Sequence, residues 1–284
     1  MLFVGLTRFS LFMPNSGAWV ASNGSRLTEE EYLAHLYDDE RLGLRCDVFF
    51  NFTLPMMALA VENHRVRHVI TFSSNLPTRY KEQVQAAAES YPFVVLDEVP
   101  VGGTPVDIGV FAQQEVERVG WGDQPMGLYR LDDDDVLSVD FFDQMTPHIT
   151  PEHLGWVVTL ASGITAIYER GRFFLVRGAV FPLHSKGHLS VCGWRDGEFV
   201  RAPEAAHTKS DRVGPVILDS RKLSHLWVRS TTQDGALYRM EMSREVQLQK
   251  MIEEFRKFEV VSQEAIAEAF PLMQYSFTSE PPTV

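Results

Sequence analysis

Along the first 130 residues, short unbroken apolar runs alternate with stretches whose apolar residues recur every three or four positions. The runs read as buried strands and the periodic stretches as amphipathic helices. "LFVGLTRF" has no helical period and predicts a core strand at the very start of the chain. A polar, Gly/Asn/Ser-rich excursion from Pro14 to Ser25 follows. Then "TEEEYLAHLYDDERL" predicts a helix with Thr28 and Glu31 at capping-box spacing. "LPMMALAVEN" predicts another, with Pro55 in its first turn. From there strand and helix alternate: "VRHVITFSS", the helix "PTRYKEQVQAAAES", "FVVLDEV", the helix "VDIGVFAQQEVERV", and "MGLYRL". Such alternation builds βαβ units around a mostly parallel sheet.

Beyond Thr146 the pattern changes. "HLGWVVTLAS", "ITAIYE" and "RFFLVRG" predict short strands joined by Gly-containing turns, a more antiparallel half. From Ser243, "SREVQLQKMIEEFRKF" is an amphipathic helix, followed by "SQEAIAEAF" and a polar tail with Pro281 and Pro282. Without an internal repeat, a low-complexity tract or a long linker, the expectation is one α/β domain over residues 1–284.

Composition narrows this picture. At 284 residues, 45% hydrophobic and 11% aromatic, the chain can bury a sizeable core. Its 38 acidic against 26 basic residues, a formal charge of −12, argue against a nucleic-acid reader, which carries a basic face. An anionic small molecule remains compatible if local arginines, a helix N-terminus or a bound metal ion meet it. Cys46 and Cys192 are the only cysteines, so there is neither a disulfide framework nor a CxxC knuckle, and a reducing compartment is expected. The start "MLFVGL" lacks the charged region and cleavage site of a signal peptide. "GWVVTLASGITAIY" is too short and too rich in Ser, Thr and Gly to span a bilayer. A cytoplasmic protein without a transmembrane segment is the resulting expectation.

The chemistry concentrates in "RLDDDDVL", residues 130–137. In extended backbone Asp132 and Asp134 would share one side and Asp133 and Asp135 the other, same-side neighbours standing about 7 Å apart. Two like charges about 6 Å apart repel by roughly 3 kcal/mol at an effective dielectric near 20, and a hard divalent ion would relieve that. Ligands of open α/β sheets bind beyond the carboxyl ends of the strands, where this run falls. An EF-hand is excluded, since the required glycine is missing and position 136 is Val. Ser138 reads as the cap of a helix "SVDFFDQM".

A strand ending in "LDDDDVL" resembles the LDxDD signature of GT-A glycosyltransferases. Together with "LTRFS", "FNFTLPMMA", "ITFSSNLP" and "HTKSDRVGPVILDSR", it makes the chain similar, over roughly residues 3 to 235, to a bacterial rhamnosyltransferase family. The resemblance implies a GT-A-like fold: a Rossmann-like mixed sheet flanked by helices, with a nucleotide-sugar-binding half at 1–145, a more β-rich acceptor half at 146–240, and helices and tail at 241–284. It also implies transfer of a sugar, rhamnose by the family's name, from a dTDP-, UDP- or GDP-linked donor to the hydroxyl of a carbohydrate or other acceptor, with Mg2+ or Mn2+ on the diphosphate. Carried onto this sequence, Asp132 meets the ribose or the metal shell, Asp133 lies beside the cofactor, Asp134 ligates the metal, and Thr7 and Arg8 fall where the base is held. His207, with His225 behind it, is the candidate for a further metal ligand from the C-terminal half. Where related sequences carry a histidine after "WVRS", this chain has "TTQDG" and departs from the pattern.

Other residues are candidates on chemistry alone. Arg79 and Arg130, near predicted strand ends, suit phosphate oxygens, with Arg79 the choice for the cofactor. Asp211 and Asp219 are the acids placed to deprotonate an acceptor hydroxyl. Trp156, Trp194 and Trp227 could stack on sugar rings or serve the core. "SKGHLSVCGWRDG" collects Ser, His, Cys and Asp without the GxSxG elbow of a hydrolase. A sugar nucleotidyltransferase is the alternative enzyme, but its Gly-rich, basic phosphate loop is lacking in "LTRFSLFMPNSG". A non-catalytic carbohydrate- or partner-binding protein on the same fold is the third reading.

Overall fold

A computed structural model describes residues 1–16, 22, 24, 26–233 and 242–282. The opening apolar run is strand β1 (Leu2–Arg8), and it lies in the middle of the larger sheet because it is apolar on both faces. Phe3 packs into one core layer, and Leu2 and Val4 into the opposite one. β2 (Arg65–Ser73) and β4 (Met126–Arg130) flank β1 in parallel, and β3 (Val94–Val99) continues beyond β2. On the far side of β4 the sheet turns mixed. β9 (Leu189–Arg195) runs antiparallel to β4, then come β6 (Val157–Leu160) and β11 (Val216–Asp219), with β10 (Glu198–Val200) as a hairpin partner of β9.

The predicted βαβ alternation is present in the first half. Helix α4 (Thr78–Ser90) joins β2 to β3, and α5 (Ile108–Val119) joins β3 to β4. Asp107 starts α5 by accepting from the amides of Gly109 and Val110, and Gly120 ends it at φ 62°.

Between β1 and β2 the structure departs from the expectation. The helix expected over Thr28 to Leu42 is two helices. α1 (Glu29–Leu36) has the capping box of Thr28 and Glu31, but Asp38 then accepts from the amides of Glu40 and Arg41 and starts a new helix. That second helix, α2 (Asp39–Val48), runs through a π-turn at Phe49–Thr53 directly into α3 (Leu54–Ala60). Pro55 stands in the first turn of α3, as expected, but α3 continues a 22-residue rod through the π-turn instead of starting afresh. Asp39–Ala60 is the one described helix long and apolar enough to cross a membrane by length and composition. Its apolar side is divided between two cores here: Phe49, Leu54 and Met57 face the larger sheet, and Val48 and Met56 a smaller one.

The smaller sheet has the order β5-β12-β7-β8. β5 (Asp135–Leu137) pairs antiparallel with β12 (His225–Arg229), which runs parallel to β7 (Ser162–Glu169), itself in a hairpin with β8 (Arg172–Val180). α7 (Arg244–Phe255) covers one face through Leu248, Met251, Ile252 and Phe255. α8 (Gln263–Ala269) and the long rod cover the other. Residues 276–280 run along the outer edge of β8, where the amides of Phe173 and Leu175 donate to the carbonyls of Ser276 and Glu280. Val136 and Leu137 lie in β5, so the helix expected from Ser138 shrinks to α6 (Phe141–Met145), and Ser138 donates to Asp140 instead of capping it.

Candidate active site at the carboxyl ends of β1 and β4

Successive crossovers from β1 run outward to β2 and β3, whereas β4 lies on the other side of β1, so the strand order reverses at the β1/β4 boundary. Crevices at such reversals are where open α/β sheets bind ligands. The amide of Leu131 donates to Leu6, ending the β1–β4 ladder, and the four aspartates follow at once. They do not continue as extended chain. The amide of Asp135 donates to the carbonyl of Asp132 at 3.3 Å, and the run turns at Asp133 and Asp134. The expected alternation of sides is thereby corrected: Asp133 and Asp134 share one partner, Arg45 of α2.

Each carboxylate has its own surroundings. Asp133 is buried and both its oxygens are occupied by the chain, Oδ2 by the Ser10 amide at 2.9 Å and the Ser10 hydroxyl at 3.2 Å, Oδ1 by Arg45. Asp134 is buried too, its Oδ2 receiving Arg45 at 3.2 Å and Gln233 at 3.2 Å. Burial lifts its pKa, Arg45 opposes the lift, and Asp133 and Asp132 add to it. Asp135 is 2% exposed, and its Oδ1 meets no hydrogen-bond donor among the described residues. Burial raises it well above the carboxylate range, against the pull of Lys186 and with the repulsion of Asp134 and Asp132. Asp132 is the accessible member, its side chain 44% exposed, with Arg130 at 3.7 Å. Burial works to raise its pKa, but Arg130, a hydrogen bond from Ser185, Lys186 and Arg45 together hold it below the ordinary value.

The remaining predicted residues lie at varied distances from this cluster. Thr7 is fully buried. Its hydroxyl donates to the carbonyl of Leu131 at 2.8 Å and meets His68 Nε2 at 2.9 Å, so it braces the strand end from inside the core. Arg8 is exposed at the tip of β1. Burial and Arg130 lower its pKa while Asp132 and Glu204 support it. Arg79 is engaged elsewhere, with Asp39 at the start of α2 and with the ring and hydroxyl of Tyr80. His207 begins a 3-10 turn, His207–Arg212. Burial, Arg130 and Lys186 lower its pKa and Asp132 supports it. His225 is fully buried beneath His184, ring centroids 4.3 Å apart.

Asp211 is exposed on the His207–Arg212 turn. Asp219 ends β11, three strands from β4, about 14 Å at ordinary strand spacing. It is bonded to Arg221 through both oxygens and to His148 at 3.2 Å. Arg221, its main partner, holds its pKa far below the usual carboxylate range, which disfavours Asp219 as a proton acceptor.

Nor do three metal-capable side chains converge among the described residues, so Asp132, Asp134 and His207 do not form a ready-made trio. The turn explains this. Asp132 faces Arg130 and Ser185, whereas Asp134 faces Arg45 and Gln233. The donor set still suits a hard cation of the Mg2+ kind, which uses one or two carboxylates plus substrate phosphates rather than a full protein cage. Burial first, and then the charges of the neighbouring aspartates, raises Asp134 and Asp135 above the ordinary carboxylate value, a cost that a bound cation would relieve.

Sequence reasoning missed Arg45, Ser10, Gln233 and Lys186. Arg45 carries a faint signal, standing four residues after the buried Arg41 on one face of α2. Lys186 carries none, being a single lysine in the loop after β8, within the stretch that the hydrolase reading had drawn on. Of the three candidate tryptophans, Trp227 alone adjoins the cluster, as the cross-strand partner of Asp135. Trp156 packs on His153 and Trp194 on Phe199.

The profile of a family described as "Putative rhamnosyl transferase" matches residues 2–179. No match was found among curated proteins. Among solved structures, the chain is similar to TarS of S. aureus at 12% identity and TM-score 0.33, covering 90% of this chain and 43% of that one. It thus spans less than half the length of TarS. A "putative nucleotide-diphospho-sugar transferase" from Desulfovibrio desulfuricans G20 aligns at 13% identity and TM-score 0.31, covering 92% of this chain and 98% of that one. The inositol-1-phosphate CTP transferase from T. maritima aligns at 9% identity and TM-score 0.30, again over 92% and 98%.

Proposed function

The chain belongs to the family described as "Putative rhamnosyl transferase", and we propose that it is a glycosyltransferase on a GT-A-like α/β scaffold, moving a sugar from a nucleoside-diphosphate donor to an acceptor hydroxyl. The observation that carries this reading is the condition of the acidic run. Three consecutive carboxylates, Asp133 to Asp135, are buried at the strand-order reversal, and one oxygen of Asp135 has no donor among the described residues. A Mg2+ or Mn2+ held by Asp132 and Asp134 would supply the Lewis-acid charge that a departing diphosphate needs. Arg130, 3.7 Å from Asp132, and Arg8 on the neighbouring strand end offer further cations to the phosphate oxygens. His207 comes near enough to Asp132 to feel its charge and is the candidate for an additional ligand. Asp211 is the remaining acid for deprotonating the acceptor. Rhamnose is the sugar of the family's description, and dTDP-, UDP- and GDP-linked sugars are the donors to screen.

Calorimetric titration of UDP, dTDP and GDP with and without Mn2+ tests the proposal. Asp134→Asn is expected to abolish metal-dependent nucleotide binding while the fold persists, since asparagine still accepts from Arg45 and Gln233 through its carbonyl. If the variant binds in Mn2+ as tightly as wild type, the assignment of the metal site is wrong.

A further inference from the structure

Two buried residues at the acidic run, Asp135 and Lys186, each carry a polar group without a hydrogen-bonded partner among the described residues. Asp135 Oδ1 is sealed from solvent without a donor. Lys186 is 8% exposed, and its ammonium lies 4.4 Å from the centre of the Trp227 ring, with neither a carboxylate within ion-pair distance nor a hydrogen-bond acceptor among the described residues. The two face the same space. Asp135 and Trp227 are directly opposed on antiparallel strands, so their side chains leave the smaller sheet on one face, and Lys186 lies over that indole. Lys186 is also the cation that most strongly offsets the charge of Asp135.

An ammonium without an acceptor and a carboxylate oxygen without a donor, too far apart to satisfy each other, define what fits between them. A phosphate oxygen would suit Lys186 but offers no proton to Asp135 Oδ1, and a cation would meet repulsion from the ammonium. A hydroxyl accepts from the ammonium through its lone pairs and donates its hydrogen to the free Oδ1 of Asp135. Since Asp132 and Asp134, just before Asp135 in the chain, are the residues placed against the diphosphate above, the hydroxyl-bearing group at this point belongs to the adjoining sugar. We propose that Lys186 and Asp135 flank a subsite that binds a hydroxyl of the transferred sugar, an inference that rests on the donor reading given above.

The test compares each nucleoside diphosphate with its sugar-bearing form: dTDP with dTDP-rhamnose, UDP with UDP-glucose, and GDP with GDP-mannose, by calorimetry in Mn2+. For the pair that wild type binds, Lys186→Met and the isosteric Asp135→Asn are expected to keep the diphosphate Kd within about twofold and to weaken the sugar nucleotide by about tenfold or more, the scale of a hydrogen bond to a charged group. Thermal melts followed by circular dichroism verify that each variant is folded, with Lys186→Gln as a second, more polar replacement. Unchanged sugar-nucleotide binding in the folded variants, equal loss for both ligand forms, or a wild type that gains nothing from the sugar overturns the subsite and leaves the donor reading standing. A wild type that binds none of the diphosphates removes the donor reading, and the subsite with it.

Discussion

A missing side chain organises the strand ends beneath the site. Gly5 of β1 is in register with His68 on one side and Tyr129 on the other. Because Thr7 donates to Leu131, it accepts from His68 Nε2, which leaves Nδ1 to accept from the Tyr129 hydroxyl at 2.9 Å, across Gly5. A Cβ on Gly5 would stand 2.2 Å from Tyr129 Cζ and 2.5 Å from His68 Nδ1. Gly5→Ala is therefore expected to destabilise by about 3 kcal/mol, at the upper end of overpacking costs, as read by urea unfolding. A loss under about 1 kcal/mol would mean that the three strands part easily. At this scale the sequence was half legible. Four like charges in a row announce themselves, whereas Arg45, 88 positions from Asp133, and Lys186 become meaningful only when the fold delivers them.

The long rod of α2, π-turn and α3 is the element that ties the acidic run to both cores. Arg45 reaches from it to Asp133 and Asp134, and the Thr53 hydroxyl, inside the π-turn, donates to the carbonyl of Asp135 at 2.9 Å. Removing the cation while keeping the bulk, in Arg45→Met, leaves two buried carboxylates without their shared partner. A destabilisation of about 3–5 kcal/mol is expected in urea titrations at pH 7, with Arg45→Lys recovering part of it. Full stability of the methionine variant would show that the carboxylates find other compensation. The capping box made the start of α1 legible. The rod was not, because a capping aspartate inside an apparently continuous pattern restarts a helix, and a π-turn lets Pro55 stand where a helix would otherwise break. The strands β9 to β12 went unread for another reason. β10, β11 and β12 are short, β9 and β12 carry Arg195 and Arg229, and β9 and β12 owe their conformation to partners far along the chain.

Across the whole molecule, buried histidines set the response to acid. Burial holds His68 at about 3 and His184 at about 4, against 6.5 for an exposed imidazole. Below pH 6.5 the unfolded chain takes up protons that the fold refuses, so the stability these groups give is complete above 6.5 and is lost on the way down towards 4. Two such groups amount to about 3 kcal/mol per pH unit in the middle of that window. Asp135 works the other way, since its raised pKa makes its charge a burden that lifts as pH falls through that value. Melting temperatures measured from pH 7.5 to 4.5 are expected to decline steeply, and a flat profile would contradict the neutral burial of these rings. The pairing of β5 with β12 has a consequence for how the protein is made. Asp135 emerges from the ribosome some fifty residues before Lys186 and some ninety before the strand that will lie against it. A nascent chain halted where the family match ends, at residue 179, would carry every aspartate of the cluster without the lysine or the indole opposite, and synthesis must run past Arg229 before the two sides can meet.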